Sequence, residues 1–376
     1  MGAKVTVGSH GRPLTRDDGT AAVYGGAILG GGGGGSIEAG LEMVRAVFAA
    51  GTPRLIPVEA LAPNDQVVTV GLVGSPAAPL AKVTPADYVR AVRLLEEDVA
   101  RHEGSPLNDF IKGFIANENG AVASVNGWLQ AAVLSRPVVD CPCDGRAHPT
   151  ALMGALGLHR EPSYLSRQSA VGGDPAGGLY LEMTVRGELT RASTAVRTAS
   201  IQAGGLVAVA RNPVPAARAA SHGAPGGISQ AIAVGRALLD RGFEGVASLF
   251  AAPEAFDGRI RAVELRTAGG FDAGFLTIEL AKPPVGGPTL RIDFWNEYVS
   301  LEEQTERGGR RLFTFPDLIA IFELPTLRPL TSADVRSGQE VRLLCVRRGE
   351  LKIGAAVLDP ELLRAVETAV GREIAG

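Results

Sequence analysis

Cysteine is scarce in this chain, and the scarcity excludes a disulfide framework. Three cysteines in 376 residues cannot all pair with one another and are too sparse for a stapled secreted scaffold, so a reducing cytoplasm is the expected compartment. An excess of either charge is also missing. The 37 basic and 40 acidic residues leave a formal charge of −3, which argues against nucleic acid as the main partner. There is no run of about 18 apolar residues, so no membrane span is expected. The stretch from Met1 to His10 lacks the apolar centre of a signal peptide. Hydrophobic residues at 45% and charged residues at 20% fit an ordinary globular protein, and 376 residues exceed what one core usually serves. Two domains are therefore expected.

The chain divides by texture near residue 168. Residues 1–20 are polar and turn-rich. Tyr24 to Leu29 is apolar and leads into an unbroken glycine run, Gly30 to Gly35. Ser36 is a candidate N-cap for a helix whose apolar residues Leu41, Val44, Val47 and Phe48 recur at helical spacing. Strands are expected at Arg54–Val58, Gln66–Val73 and Phe110–Ala116, with an amphipathic helix over Asp87–His102 and a short helix over Val122–Gln130. Ala131–Leu134 and Pro137–Val139 read as one buried strand. The alternation predicts a layered α/β domain over residues 1–168. Beyond it, Leu179–Val185 reads as a strand, Gln202–Ala210 is left open between strand and helix, and Ile228–Leu239 is helical. From Arg259 the chain is mostly strands, closed by a helix over Asp359–Val370. A β-rich second domain over 169–376 follows.

Chemistry concentrates in Asp140-Cys141-Pro142-Cys143-Asp144-Gly145-Arg146-Ala147-His148-Pro149, which follows the apolar run. In an open α/β sheet, ligands bind where strands end at their carboxyl side. Thiolate, imidazole and carboxylate donors at this density suit a soft or borderline divalent metal. Cys143 and His148 can share an ion if the chain turns at Gly145. The alternative is a tight turn carrying two small buried hydrophobes. The glycine run feeding a helix is a geometry that holds anions. It lacks the Lys-Ser/Thr of a P-loop and the strand of a dinucleotide fingerprint. Gly32, Gly33 and Gly34 are thus either substrate-facing or a close backbone approach to another element.

Several motifs in order along the chain resemble one family. They are the glycine run before a helix, Arg136-Pro137-Val138-Val139-Asp140 with Gly145-Arg146-Ala147 and Pro149, the segment Gly227 to Ala237, and Phe315-Pro316-Asp317-Leu318-Ile319. The family is that of S-methyl thiohydantoin desulfurase, found beside or fused to hydantoinase/oxoprolinase proteins. The resemblance implies an α/β N-terminal and a β-rich C-terminal domain, and a place in sulfur metabolism such as ergothioneine catabolism. The commoner family pattern has Ala-Asp-Gly-Met before Gly-Arg-Ala and Phe before the proline. Here Cys141, Pro142, Cys143 and Asp144 take the first places and His148 the last, which strengthens the metal reading.

The implied reaction hydrolyses an S-methyl thiohydantoin, a small heterocycle, to a hydantoin and methanethiol. A bound Zn²⁺ would supply a hydroxide-like nucleophile at neutral pH. Cys143 and His148 are the first expected ligands, with Cys141 or His222 as the third. Asp140, Asp144 and Glu118 are candidates for general acid or base, and Asp140 could instead orient a ligand imidazole. Arg146 is either a fork for a substrate carboxylate or a structural ion-pair partner. His10, His102 and His159 have weaker cases. Cys345, Trp128 and Trp295 are expected to pack. Ring-opening hydrolysis and a non-catalytic role beside a hydantoinase/oxoprolinase are the competing readings, with homo-oligomerisation left open.

Overall fold

The computed structural model describes residues 11–75, 78–104, 106, 109–268, 271–281 and 287–374; His10 lies outside the described residues. Its first sheet has eight strands. In chain order they are β1 (Arg12–Pro13), β2 (Arg54–Ile56), β3 (Gln66–Gly74), β4 (Ile111–Ala116), β5 (Val138–Val139), β6 (Ser166–Gly172), β7 (Leu181–Gly187) and β8 (Leu206–Pro215). Their order across the sheet is β1-β2-β5-β4-β3-β8-β6-β7. The steps between β2, β5, β4 and β3 are parallel, and the remainder are antiparallel. Val67, Val68, Val70, Phe114 and Ile115 in the central strands are all buried, as expected of strands covered on both faces.

Among the described residues, seven α-helices accompany this sheet: α1 (Arg16–Leu29), α2 (Ile37–Ala50), α3 (Pro85–Glu103), α4 (Trp128–Leu134), α5 (Leu189–Gln202), α6 (Ala216–His222) and α7 (Gly227–Ala247). Helix α1 corrects the reading of residues 1–20. Thr15 and Asp18 form a capping box, so the helix starts at Arg16 and the apolar residues before the glycine run are its last turns. Gly25 and Gly235 explain why small residues crowd α1 and α7. A Cβ on Gly25 would overlap the Ala231 carbonyl, and one on Gly235 would overlap the Ala21 carbonyl. The two helix backbones touch.

One further expectation is corrected and one open reading is resolved. Ala131–Leu134 lies in α4, which ends at Ser135 with φ 55°, and only Val138–Val139 is strand. Gln202–Ala210 divides between the end of α5 and the start of β8. Because β6, β7 and β8 all belong to the first sheet, the expected boundary after residue 168 falls inside β6.

The second sheet is antiparallel throughout: β9 (Glu254–Ala268), β10 (Phe271–Leu280), β11 (Thr289–Trp295), β12 (Glu297–Thr305), β13 (Gly308–Thr314), β14 (Leu318–Glu323), β15 (Pro329–Leu330) and β16 (Glu340–Val346). Helix α8 (Pro360–Val370) closes the chain. The α/β part followed by a β-rich part is therefore as expected. The two parts share a core. Ile28 and Leu29 of α1 and Val234 and Leu238 of α7 pack with Leu318, Ala320 and Phe322 of β14. Among the described residues, no helix is long and apolar enough to cross a membrane.

Candidate functional site

Two loops leave the carboxyl ends of neighbouring parallel strands and are zipped together. Asn117-Glu118-Asn119-Gly120 follows β4, and Asp140 to Pro149 follows β5. The Cys143 N–H donates to Ala116 O at 2.9 Å and the Asn119 N–H to Asp144 O at 3.1 Å. These bonds draw Glu118, Asp144, Arg146 and His148 into one buried cluster at the place the sheet topology favours for a ligand.

Each predicted residue has a definite neighbour. His148 Nε2 lies 3.3 Å from Glu118 Oε2. The His148 backbone N–H also donates to that oxygen at 3.3 Å. Burial first, then the Arg211 charge, pushes the imidazole down to about 4, so it is neutral at pH 7. Burial raises Glu118 well above the usual carboxylate range, helped by the negative charges of Glu297 and Asp144. Its side chain keeps 14% exposure and is the edge of the cluster nearest solvent. Asp144 is pushed up to about 7 by burial, against the bonds its carboxylate accepts from Gly354 and Gly145 N–H at 2.8 and 2.9 Å.

Arg146 is fully buried, and it spans the two sheets instead of reaching for a ligand. It donates to the carbonyls of Asp317 and Tyr298 and stacks 4.5 Å over the Phe315 ring. These partners are backbone carbonyls and a ring, and none of them is the carboxylate of an ion pair. Asp140 is also engaged. Its Oδ1 accepts from Ile228 and Ser229 N–H at 2.9 and 3.0 Å and its Oδ2 from Ser229 Oγ at 2.5 Å. It caps α7 from another part of the chain, and neither oxygen faces His148.

The expected metal donors do not converge. Cys143 Sγ sits 3.3 Å from Thr69 Oγ1, whereas Cys141 Sγ donates to Ala219 O at 3.2 Å. Burial pushes both thiols up, Cys143 to about 12, so neither is a ready thiolate. His222 ends α6, and not a loop, with Nδ1 2.8 Å from Ser221 Oγ and its ring against Gly157. Among the described residues, no group of three His, Cys, Asp or Glu side chains is placed to hold an ion. This donor set does not fit a tetrahedral zinc site.

The glycine run forms the wall between the two parts of the fold. Gly30 to Gly33 are buried. A Cβ on Gly32 would meet the Tyr298 ring at 2.9 Å, one on Gly33 would overlap the Glu297 carboxylate, and one on Gly34 would overlap the Gly120 backbone. Gly32 and Gly34 have φ 97° and 80°, which glycine adopts without strain. The close-approach reading thus describes all three. Of these three, Gly33 touches an ionisable member of the cluster, and Gly31 before them lies against the Arg146 guanidinium.

Two members, Glu297 and Arg211, were invisible to motif reading. Glu297 begins β12 after Asn296, whose φ of 56° reverses the chain out of β11. Burial pushes its carboxyl up to about 8. Arg211 is 4% exposed within β8, where it donates to Asn117 Oδ1. Asn117 Nδ2 in turn lies 3.4 Å from His148 Nε2. A lone arginine directly after the apolar run Leu206-Val207-Ala208-Val209-Ala210 was the available signal for Arg211. Nothing marked Glu297, which reads as a turn residue. The cluster leaves Asp144 Oδ2, Glu297 Oε2, Thr150 Oγ1 and Arg211 Nε buried without a partner among the described residues. Buried polar atoms are normally paired, so unmet valences gathered in one place mark where a polar ligand or ordered water fits.

The remaining residues do as expected. Cys345 and Trp128 are fully buried in cores, and Trp295 packs beside α8. His159 pairs with Asp359 at 2.7 Å and His102 with Asp98 at 3.2 Å, both outside the cluster.

Comparison with known proteins gives two family matches. The model described as S-Me-THD-like, N-terminal domain, matches residues 18–171, and that described as S-Me-THD-like, C-terminal domain, matches residues 188–352. No curated protein matches the chain. A crystal structure of a protein from Chromobacterium violaceum superposes with a TM-score of 0.69 at 19% identity, covering 94% of this chain and 95% of that one. At that identity the likeness speaks for the fold alone.

Proposed function

Since the chain belongs to the S-Me-THD-like family, we propose that it hydrolyses an S-methyl thiohydantoin to a hydantoin and methanethiol, with the ring left intact. The observation that carries this reading is the buried cluster of Glu118, Asp144, Glu297, Arg146 and Arg211 at the carboxyl ends of β4 and β5, with its unpartnered polar atoms. Hydrolysis at the ring carbon between two nitrogens requires a base for the incoming water and an acid for the outgoing sulfur. Groups whose affinities for protons lie near neutrality meet both needs, and burial has moved Asp144 to about 7 and Glu297 to about 8. Glu118 and Glu297 raise one another and are assigned one shared proton: Glu297 holds it, and Glu118, at the solvent edge and favoured in its ionised form by the Arg211 charge, is the base. Neutral His148 beside it orients the carboxylate and the water. Arg211, buried with one nitrogen unpartnered, offers positive charge to an anionic substrate or intermediate.

The zinc route assigned such activation to Cys143 and His148. Their separate partners carry no step of it here, so the reading gives base catalysis to Glu118.

The test is to incubate the purified protein with S-methyl thiohydantoin in ¹⁸O-water, following thiol release colorimetrically and the product by mass spectrometry. The expected outcome is stoichiometric methanethiol and a hydantoin carrying one ¹⁸O. A ring-opened ureido acid would show ring hydrolysis instead. No turnover without an added hydantoinase/oxoprolinase would favour the partner-subunit reading.

A further inference from the structure

We propose that Glu297, delivered by the second sheet to the seam against the glycine run, is the catalytic acid that protonates the departing sulfur. The inference rests on the hydrolase reading above and assigns the second half of its chemistry.

Glu297 is 3% exposed, and its Oε2 has no partner among the described residues. The chain reversal at Asn296 fixes its backbone, and Phe294 and Trp295 pair across to Tyr298 and Glu297. Gly33 lies directly against the carboxyl, so close that a Cβ there would come to 2.0 Å from Glu297 Oε1 and push it aside. The next glycine, Gly34, rests on Gly120, two residues beyond Glu118. The glycine run thus places a carboxyl from β12 opposite the carboxyl that follows β4. Arg146 completes the frame by donating to the Tyr298 carbonyl at 3.4 Å.

The charged groups that face Glu297 are Arg146, from the loop after β5, and Glu118, from the loop after β4. The glycine run contributes no ionisable side chain. Burial dominates and outweighs both the bond from Glu297's own backbone N–H and the favourable charge of Arg146, so the carboxyl holds its proton up to about 8. A buried, protonated carboxyl with one oxygen, Oε2, left without a partner is the state a proton donor needs before reaction.

The steps balance. In addition, a water oxygen bonds to the ring carbon, the C=N π pair moves to the ring nitrogen, and Glu118 carries a water proton to that nitrogen. In collapse, the hydroxyl proton returns to Glu118 as the carbonyl forms. The C–S bond breaks, and sulfur takes both the bonding pair and the Glu297 proton. Transfer of a proton from Glu118 to Glu297 restores the starting state. One water proton ends on nitrogen and the other on methanethiol.

The test compares wild type, Glu297→Gln and Glu297→Asp on S-methyl and S-(4-nitrophenyl) thiohydantoins. The nitrophenyl thiolate leaves without an acid. Glu297→Gln should lower kcat on the S-methyl substrate by roughly 10²–10⁴-fold and on the nitrophenyl substrate by less than about tenfold, with Glu297→Asp between. Equal losses on both substrates, or none on either, would overturn the assignment.

A second arm needs no substrate. A group whose folded pKa lies above its unfolded value keeps its proton in the native state while the unfolded chain has lost it. Relative to Glu297→Gln, the unfolding constant of wild type should therefore rise about tenfold per pH unit from the ordinary carboxylate range to about 8. A flat difference would remove the proton and the proposal with it. If wild type frees thiol from neither substrate, the hydrolase reading has failed, and the stability arm still reports whether Glu297 holds its proton.

Discussion

Three donors from the start of α7 converge on the Asp140 carboxylate, two backbone N–H groups and the Ser229 hydroxyl. Its role as a helix cap predicts the outcome of removing it. Asp140→Ala should cost about 1–2 kcal/mol of stability, read as a lower urea midpoint, with turnover per folded molecule within a few-fold of wild type. A folded variant that has lost more than about 100-fold in kcat would make Asp140 a chemical participant instead. The same reasoning applies to Cys143. Its thiol is buried against Thr69 and held in the protonated form. Cys143→Ala should leave a small cavity, cost about 1–2 kcal/mol and spare most activity. Metal analysis of protein purified without added metal belongs beside that assay. The expected result is no stoichiometric zinc and turnover unchanged by a chelator. One zinc per chain in wild type, lost in the variant, would put the metal route in its place.

At the scale of elements, the glycine run is the part whose chemistry looked most like a binding loop and whose geometry is that of a spacer. Gly33 has an ordinary negative φ, so alanine there would meet no backbone strain and only the Glu297 carboxyl would oppose it. Gly33→Ala should therefore destabilise by about 1–3 kcal/mol. Much of that cost should vanish in the Glu297→Ala background, which a double-mutant cycle of urea unfolding measures. Additive losses would mean that something other than the carboxyl limits the space. This contact also shows what the sequence withheld. The strand of β4, the loop after it and the Asp140–Pro149 segment were legible because apolar runs ending in polar clusters mark strand ends, and Glu118, Asp144 and His148 duly meet. The helix α1 was not, because its capping box sits in a polar stretch and its glycines serve α7, about 200 residues away in the chain. Glu297 and Arg211 were missed for the same reason. Their meaning depends on partners that only the fold brings near, and local pattern carries no trace of them.

At the scale of the whole molecule, the two parts are interleaved and do not sit as beads on a string. The strand β8, from residues 206–215, lies between β3 and β6 in the first sheet. Helix α7 then packs backbone-to-backbone on α1, and β14 of the second sheet joins the same core. A fragment ending at residue 187 would keep seven strands of the first sheet but lose the one that joins β3 to β6. It would also expose the Gly25 face of α1 and the buried strands Val67–Val70 and Ala170–Val171. Uncovering that much apolar surface at about 25 cal/mol per Å² exceeds what a marginally stable domain can absorb. The fragment should therefore show no cooperative thermal transition by circular dichroism, whereas the full chain should unfold in one step seen alike by near- and far-ultraviolet signals. A fragment that melts cooperatively would show that the first sheet tolerates a gap at its centre. The site would then be an assembly of two independently folded halves, with Glu297 arriving only on docking. In the interleaved fold the carboxyl is in place from the start, because β14 packs into the core of α1 and α7 while the Tyr298 N–H of β12 donates to Gly31 O at 2.6 Å and ties the strand to the glycine run.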